Sequence, residues 1–280
     1  MITILGPTAT GKTILAAQLA SLLNGEIISA DSRQVYRGMD IGTGKDISEY
    51  TINNKKIPYH LIDIVDPGYE YNVYEFQHDF LKAFTEIEKR GNIPILCGGT
   101  GLYIESILKG YKLINVPLNL NLRDELNIKE DSELITILES FTSLHNTTDT
   151  NERERLIRAI EIQTYYKSNP DVDTYFPKID TKIFGINYDR RVVTMRITER
   201  LDERLKNGMI EEVKGLLDSG LEPEQLIFYG LEYKWVTEYL EGKIAYNEMF
   251  RRLNTAIHQF SKRQMTWFRK MEKQGIEIIW

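Results

Sequence analysis

The chain carries one cysteine, Cys97, in 280 residues. An internal disulfide is excluded, and a lone thiol fits a reducing compartment. No apolar run approaches the roughly 20 residues that a membrane-spanning helix needs. Met1 leads straight into an apolar stretch, so no signal or transit peptide is expected. The expectation is a cytoplasmic protein without membrane association. His60 and His78 lack partners at metal-ligand spacing and read as structural or surface residues. There is no internal repeat and no low-complexity tract. A net charge of −6 excludes a uniformly basic coat for nucleic acid. With 42% hydrophobic and 27% charged residues, the composition suits one large domain or a core with a smaller partner.

The charge is unevenly placed. Residues 181–280 hold 17 Lys and Arg against 15 Asp and Glu, net +2, which leaves residues 1–180 at −8. Residues 251–270 hold six Lys and Arg and no acid.

The N-terminal residues read MITIL, then GPTATGKT. This is the phosphate-loop pattern G-x-x-x-x-G-K-[ST] between a strand and a helix. Its members are Gly6, Pro7, Thr8, Ala9, Thr10, Gly11, Lys12 and Thr13. Glycines allow backbone N–H groups to converge on phosphate oxygens, and the following helix adds its positive dipole end. Lys12 would bring charge to the phosphates, and Thr13 a hydroxyl to a magnesium ion. Leu15, Ala16, Leu19, Leu22 and Leu23 read as the apolar face of that helix. The chain therefore binds a diphosphate or triphosphate.

A strand, Glu26–Ala30, ends at Asp31, and Asp31–Gly44 reads as a long polar loop. Loops at the carboxyl ends of parallel strands form the ligand crevice. Asp31 is thus a candidate general base or metal-shell carboxylate, with a turn or helix cap as the rival reading. Ile57–Val65 reads as a strand. Val73–Arg90 is a helix with a core stripe of Val73, Phe76, Phe80, Phe84 and Ile87. Ile93–Cys97 is a continuous apolar strand, followed by Gly98-Gly99-Thr100-Gly101. Thr100 is a second site candidate. From about Lys112 to Asp180 the strand–helix rhythm stops. Polar helices (Leu122–Ile128, Ser132–Thr142, Arg153–Tyr166) and loops rich in Asn, Asp and Thr suggest an acidic helical insertion. A strand resumes at Lys182–Asn187.

Arg191–Ser219 reads as a long amphipathic helix or a pair, with Ile197, Leu201, Leu205, Val213 and Leu216 inward. Arg196, Arg200 and Arg204 recur on a neighbouring face, either paired with nearby acids or reaching back to phosphate. Glu248–Lys273 is the last helix. Leu253, Ile257 and Phe260 form its apolar side. Arg251, His258, Lys262 and Arg269 form one basic stripe, and Arg252, Arg263 and Lys270 a second. Trp267 and Phe268 lie among these charges, where they could stack on bases. Ile276–Trp280 reads as a short strand or packed tail.

In this order, GPTATGKT, DSRQVYRGMDIGTGK, HLIDIVDP, GGTGLY, RLIRAIE, MRITERLDERLKNGMIEEV and KRQMTWFR resemble the tRNA dimethylallyltransferase (isopentenyltransferase) family over nearly the full chain. The resemblance implies a P-loop-type α/β core, residues 1–111 and 181–280, with a helical insertion, residues 112–180, touching tRNA. It implies transfer of a dimethylallyl group from dimethylallyl diphosphate, with Mg²⁺, to N6 of the adenine 3′ of the anticodon. Asp31 matches the general base and Thr100 a residue near the reacting centre. Lys12, Arg200 and, second, Arg196 match the groups on the diphosphate. Asp31, Ser32, Arg33, Gln34 and Thr100 would read the flipped adenine. Arg123, Glu154, Arg155, Arg158, Ile227–Glu232, Lys262, Arg263, Gln264, Trp267 and Arg269 would touch the anticodon stem-loop. The family often has a Gly-Tyr-Arg/Lys-like run where this chain has Gly230-Leu231-Glu232. A monomer is expected.

Two other readings stay open at this stage. A small-molecule kinase would use the phosphate loop for ATP, with Arg153, Arg155 and Arg158 on a lid. A close variant is prenyl transfer to free AMP or ADP, which would leave the basic last helix without a purpose. A non-catalytic RNA-binding protein would not keep Lys12, Thr13, Asp31 and Thr100 together.

Overall fold

The computed structural model describes residues 1–141, 153–170 and 175–280. In chain order the core runs β1 (Ile2–Leu5), α1 (Lys12–Leu23), β2 (Gly25–Ala30), β3 (Thr51–Ile52), β4 (Lys55–Lys56), β5 (Tyr59–His60), α2 (Val73–Lys89), β6 (Ile93–Gly98) and α3 (Gly101–Leu108). Three helices follow: α4 (Leu120–Asn127), α5 (Asp131–Phe141) and α6 (Arg153–Ser168). The chain ends with β7 (Lys182–Gly185), α7 (Arg190–Lys206), α8 (Met209–Asp218), α9 (Pro223–Tyr229), α10 (Leu231–Leu240) and α11 (Tyr246–Lys273).

The central sheet is parallel, in the order β5-β2-β6-β1-β7. Its inner strands are buried on both faces and read as continuous apolar runs, as parallel strands do. On one face Ile4, Ile27, Ile95 and Cys97 pack with Ala16, Ala17 and Ala20 of α1. The alternate residues Leu5, Ile28 and Leu96 are also fully buried, on the opposite face. Helix α2 packs on β2 and β6, burying Phe76, Phe80 and Ile87, while Val73 and Phe84 are half-buried. Asn72 starts it with a capping box to Glu75, a device worth about 1 kcal/mol.

The chain divides into two compact units, residues 1–111 with 177–280, and residues 112–176. In the second unit Leu126, Leu134, Leu138, Leu156, Ile157 and Ile160 make a separate core. The loops expected around residues 142–152 and 171–174, and Thr142 at the end of one expected helix, lie outside the described residues.

Several elements differ from the sequence reading or complete it. Helix α1 turns its alanines to the sheet, whereas Leu15, Leu22 and Leu23 are 44%, 81% and 39% exposed. Alanines let the helix backbone approach the strands closely, so its apolar face is the small one. The expected strand over residues 57–65 is paired at Tyr59–His60 and, by an isolated bridge, at Val65. Leu61 and Asp63 adopt positive φ and break the run between them. Of the two readings for residues 191–219, the structure has the pair of helices, parted at Gly208 with φ +101°, a conformation that glycine adopts without strain. Finally, β3, β4, α9 and α10 had no signal of their own length in the sequence. The tail docks through Ile279, which exchanges backbone hydrogen bonds with Ile183 and Gly185 of β7.

Candidate active site

The sheet register gathers the site. Gly98 of β6 pairs with Leu5 of β1 on one side and with Ala30 of β2 on the other. Leu5 also pairs with Gly185 of β7. Four strands therefore end at one level. Gly6, Asp31 and Gly99 are each the next residue along, on strands about 5 Å apart. This places the phosphate loop, the Asp31 loop and the Thr100 loop side by side.

The phosphate loop is folded on itself. Lys12 Nζ donates to the Pro7 carbonyl at 3.1 Å, and the Thr10 hydroxyl donates to the same carbonyl at 2.8 Å. Helix α1 starts after Gly11 without a side-chain cap, so its first N–H groups are directed to a ligand. Burial lowers the pKa of Lys12, and neighbouring Arg200 lowers it further.

The Asp31 loop is braced from several sides. Asp31 Oδ1 accepts the Arg33 N–H at 2.9 Å, and the Thr100 hydroxyl accepts the Ser32 N–H at 3.0 Å. Ser29 donates to Gln34 Oε1 at 2.9 Å, and Gln34 Nε2 donates to the Gly44 carbonyl at 3.0 Å. Lys45, 1% exposed, donates to the Tyr36 carbonyl and to Asp40, both at 2.6 Å, and pairs with Asp63. Glu212 of α8 accepts the N–H groups of Asp40, Ile41 and Gly42. Beneath these bonds Val35, Tyr36 and Met39 sit in a core built from α7 to α11. Charge-assisted bonds of this kind are the strong ones, and they anchor the loop bearing Asp31 at several points.

Lys12, Thr13, Asp31, Gln34, Arg196 and Arg200 line one cavity of about 300 Å³. Arg200 donates to the Thr8 hydroxyl. Burial, and then the field of Arg204, pushes the Arg200 guanidinium down to about 10. Arg196 instead lies over the Tyr188 ring at 4.4 Å. Asp46, Glu49, Glu199 and Glu203 also line the cavity. Burial, and then Asp46, raises the pKa of Glu49. The sequence singled out none of these four acids as site residues; two follow the DSRQVYRGMDIGTGK motif and two share the helix of Arg200. Glu232 is buried. Its carboxyl pKa is raised by that burial, against the pull of Arg204.

The sequence-predicted RNA contacts separate into groups. Lys262, Arg263 and Arg269 are exposed on α11. Lys262 and Arg269, with Arg190, His258, Tyr188 and Met265, line a groove of about 760 Å³. The Arg33 guanidinium lies over Phe228 at 6.0 Å and Tyr229 at 5.4 Å, and Phe228 is 55% exposed. Gln264 points inward: both ends of its buried amide bond to the protein itself. Phe268 is fully buried, so it offers no stacking face. Trp267 is half-buried and donates to Glu105 at 2.7 Å. In the second unit Arg123 and Arg158 both pair with the buried Glu161, which commits their charge internally. Glu154 and Arg155 there are exposed.

The family model for IPP transferase matches residues 34–271. Curated relatives extend the likeness across the phosphate loop and Asp31. The chain is 58% identical over its full length to tRNA dimethylallyltransferase 2 of Bacteroides fragilis, covering 92% of that protein. It is 59% identical to tRNA dimethylallyltransferase 2 of Porphyromonas gingivalis, covering 93% of it. Among solved structures, the tRNA isopentenylpyrophosphate transferase of Bacillus halodurans matches all of this chain and 88% of its own, with 34% identity and a TM-score of 0.71. A eukaryotic dimethylallyltransferase acting on tRNA matches 99% of this chain and 73% of its own, with 26% identity and a TM-score of 0.79. The chain belongs to the IPP transferase family, whose named members here are tRNA dimethylallyltransferases.

Proposed function

We propose that this enzyme moves a dimethylallyl group from dimethylallyl diphosphate to N6 of the adenine 3′ of the anticodon of a tRNA. The observation that carries the residue assignment is the common level at which the phosphate loop, Asp31 and Thr100 leave the sheet. The allylic carbon–oxygen bond breaks, a carbon–nitrogen bond forms, and diphosphate departs. The N6 proton passes to the Asp31 carboxylate. An exocyclic adenine nitrogen is a weak nucleophile, because its lone pair is delocalised, and a positioned base offsets that weakness. Lys12, the loop N–H groups and Arg200 stabilise the charge that develops on the leaving diphosphate. Thr100 and Gln34 orient the acceptor base, which must leave its stack to reach the cavity.

Among the described residues there is no cluster of three His, Cys, Asp or Glu side chains suited to a metal. A magnesium ion suits the site in another way, because it takes hard oxygen ligands and is often held largely by substrate phosphates and water. The Thr13 hydroxyl would hold it, and it would neutralise diphosphate charge. The groove along α11 and the Arg33–Phe228 pair serve the RNA, and the exposed Glu154 and Arg155 of the second unit add contacts. No helix among the described residues is long and apolar enough to cross a membrane. A cytoplasmic monomer is consistent with this account.

The test is transfer of labelled dimethylallyl diphosphate, with Mg²⁺, to an unmodified tRNA and in parallel to AMP. Label on the tRNA alone supports the proposal. Label on AMP alone, or on neither, contradicts it.

A further inference from the structure

Helix α11 buries two polar residues, Ser261 and Gln264, on a stripe that is otherwise apolar, and Gln264 is the one with an amide. Leu253, Ile257, Phe268 and Met271 are buried along this face, and Gln264, 6% exposed, stands among them. Burying an amide costs free energy unless its groups are bonded. Here they are. Gln264 Oε1 accepts the Thr8 N–H at 2.8 Å, and Nε2 donates to the Gly99 carbonyl at 2.9 Å. Thr8 is in the phosphate loop and receives Arg200 on its hydroxyl. Gly99 directly precedes Thr100. The approach is tight: a Cβ placed on Gly99 would lie 2.4 Å from Gln264 Nε2 and 3.3 Å from the Gly6 carbonyl.

We propose that Gln264 is a positioning residue that sets the spacing between the diphosphate loop and the loop carrying Thr100. It thereby fixes where the leaving group stands relative to the acceptor nitrogen. This inference rests on the prenyl-transfer reading above. An amide fits the task because it holds one acceptor and one donor at fixed separation without charge. Gln264 then serves the reaction from behind the loops and touches neither RNA nor donor. Misplacement of reacting groups by about 1 Å costs on the order of 10²-fold in rate.

Two near-isosteric variants test this. Gln264→Met keeps the volume and loses both bonds. It is expected to lower kcat by on the order of 10²-fold with the KM for tRNA unchanged. Gln264→Glu carries a sharper signature. A protonated carboxyl presents an acceptor oxygen and a donor O–H, as the amide does. The ionised form instead turns an oxygen against the Gly99 carbonyl. The activity of Gln264→Glu relative to the native enzyme should therefore recover as pH falls and the introduced carboxyl takes up a proton. The same preparations are checked by thermal unfolding, and if Gln264→Met does not fold, Gln264→Glu carries the test alone. A native kcat in folded Gln264→Met, or a ratio for Gln264→Glu that is flat across pH, overturns the proposal. If the native enzyme itself transfers no label, the reading beneath it fails instead.

Discussion

Replacing Asp31 by Asn separates its two tasks. In the structure Asp31 Oδ1 accepts the Arg33 N–H at 2.9 Å, and an asparagine keeps that acceptor. The loop is braced independently by Gln34, Lys45 and Glu212, so the fold and its melting temperature should hold to within about 0.5 kcal/mol. What disappears is the proton acceptor. General-base catalysis contributes about 10² to 10⁴ in rate, equivalent to about 3 to 5 kcal/mol on the barrier. Diphosphate binding should be kept or strengthened, because one charge of the same sign as the ligand leaves the cavity. The assay is single-turnover prenyl transfer at saturating tRNA and donor, with diphosphate affinity measured separately by calorimetry. An unchanged single-turnover rate in a folded Asp31→Asn enzyme would refute the assignment of the base. A loss of diphosphate binding equal to the loss of rate would show that Asp31 serves the cradle instead.

Three further outcomes follow from other parts of the structure. Arg200 is held down to about 10 by burial and by Arg204, and its charged form is the one that meets diphosphate. Affinity for inorganic diphosphate should be lower in Arg200→Met across the neutral pH range, because a buried positive charge in the cavity is lost; calorimetry checks it. Phe228→Ala removes the exposed ring beneath Arg33, and loss of one base-stacking platform costs about 1 to 3 kcal/mol of single-strand affinity. Fluorescence anisotropy with an anticodon stem-loop should show that weakening while diphosphate binding stays constant. Away from the site, Glu26 is buried and bonded by Arg90, Asn92 and His60, and the Arg90 bond leads in holding its carboxyl down at about 2. Its stabilising contribution is complete above the ordinary value of 4.5 and is lost as pH falls towards about 2; Arg90→Ala should shrink that acid-dependent loss of melting temperature.

The legible parts of the fold were those whose physics is local. β1 and β6 are continuous apolar runs, the phosphate loop has fixed spacing, and α11 keeps its period over 28 residues. Asp31 and Thr100 could be proposed because each stands just past a strand, and the register then placed those strand ends together. The misread parts depended on partners distant in sequence. In α1 the face read from the sequence holds Ala16 and Leu19 against the sheet, but Leu15, Leu22 and Leu23 are exposed and Ala17 and Ala20 take the core positions. Phe268 reads as a stacking residue from its charged neighbours, whereas it is buried on the face of Leu253, Ile257 and Met271, a face that the reading through Phe260 misses. The same stripe runs through Gln264, and a polar residue on an apolar face was the available signal for its inward role. Leu61 and Asp63 adopt positive φ without a glycine to announce it. The i,i+3 spacing joins Arg158 to Glu161 locally, but nothing local indicated that Arg123 would share the same carboxylate.

The account stands on diphosphate being the leaving group and adenine N6 the acceptor. The most direct measurement uses donor labelled with heavy oxygen at the bridging position between the allylic carbon and phosphorus, incubated with the native enzyme, Mg²⁺ and unmodified tRNA. Mass spectrometry of both products should find the heavy oxygen wholly in released diphosphate. Nuclease digestion should find one added dimethylallyl group on the adenine 3′ of the anticodon. Heavy oxygen retained on the prenyl product, phosphate transferred to the acceptor, or an unmodified anticodon loop would contradict the account.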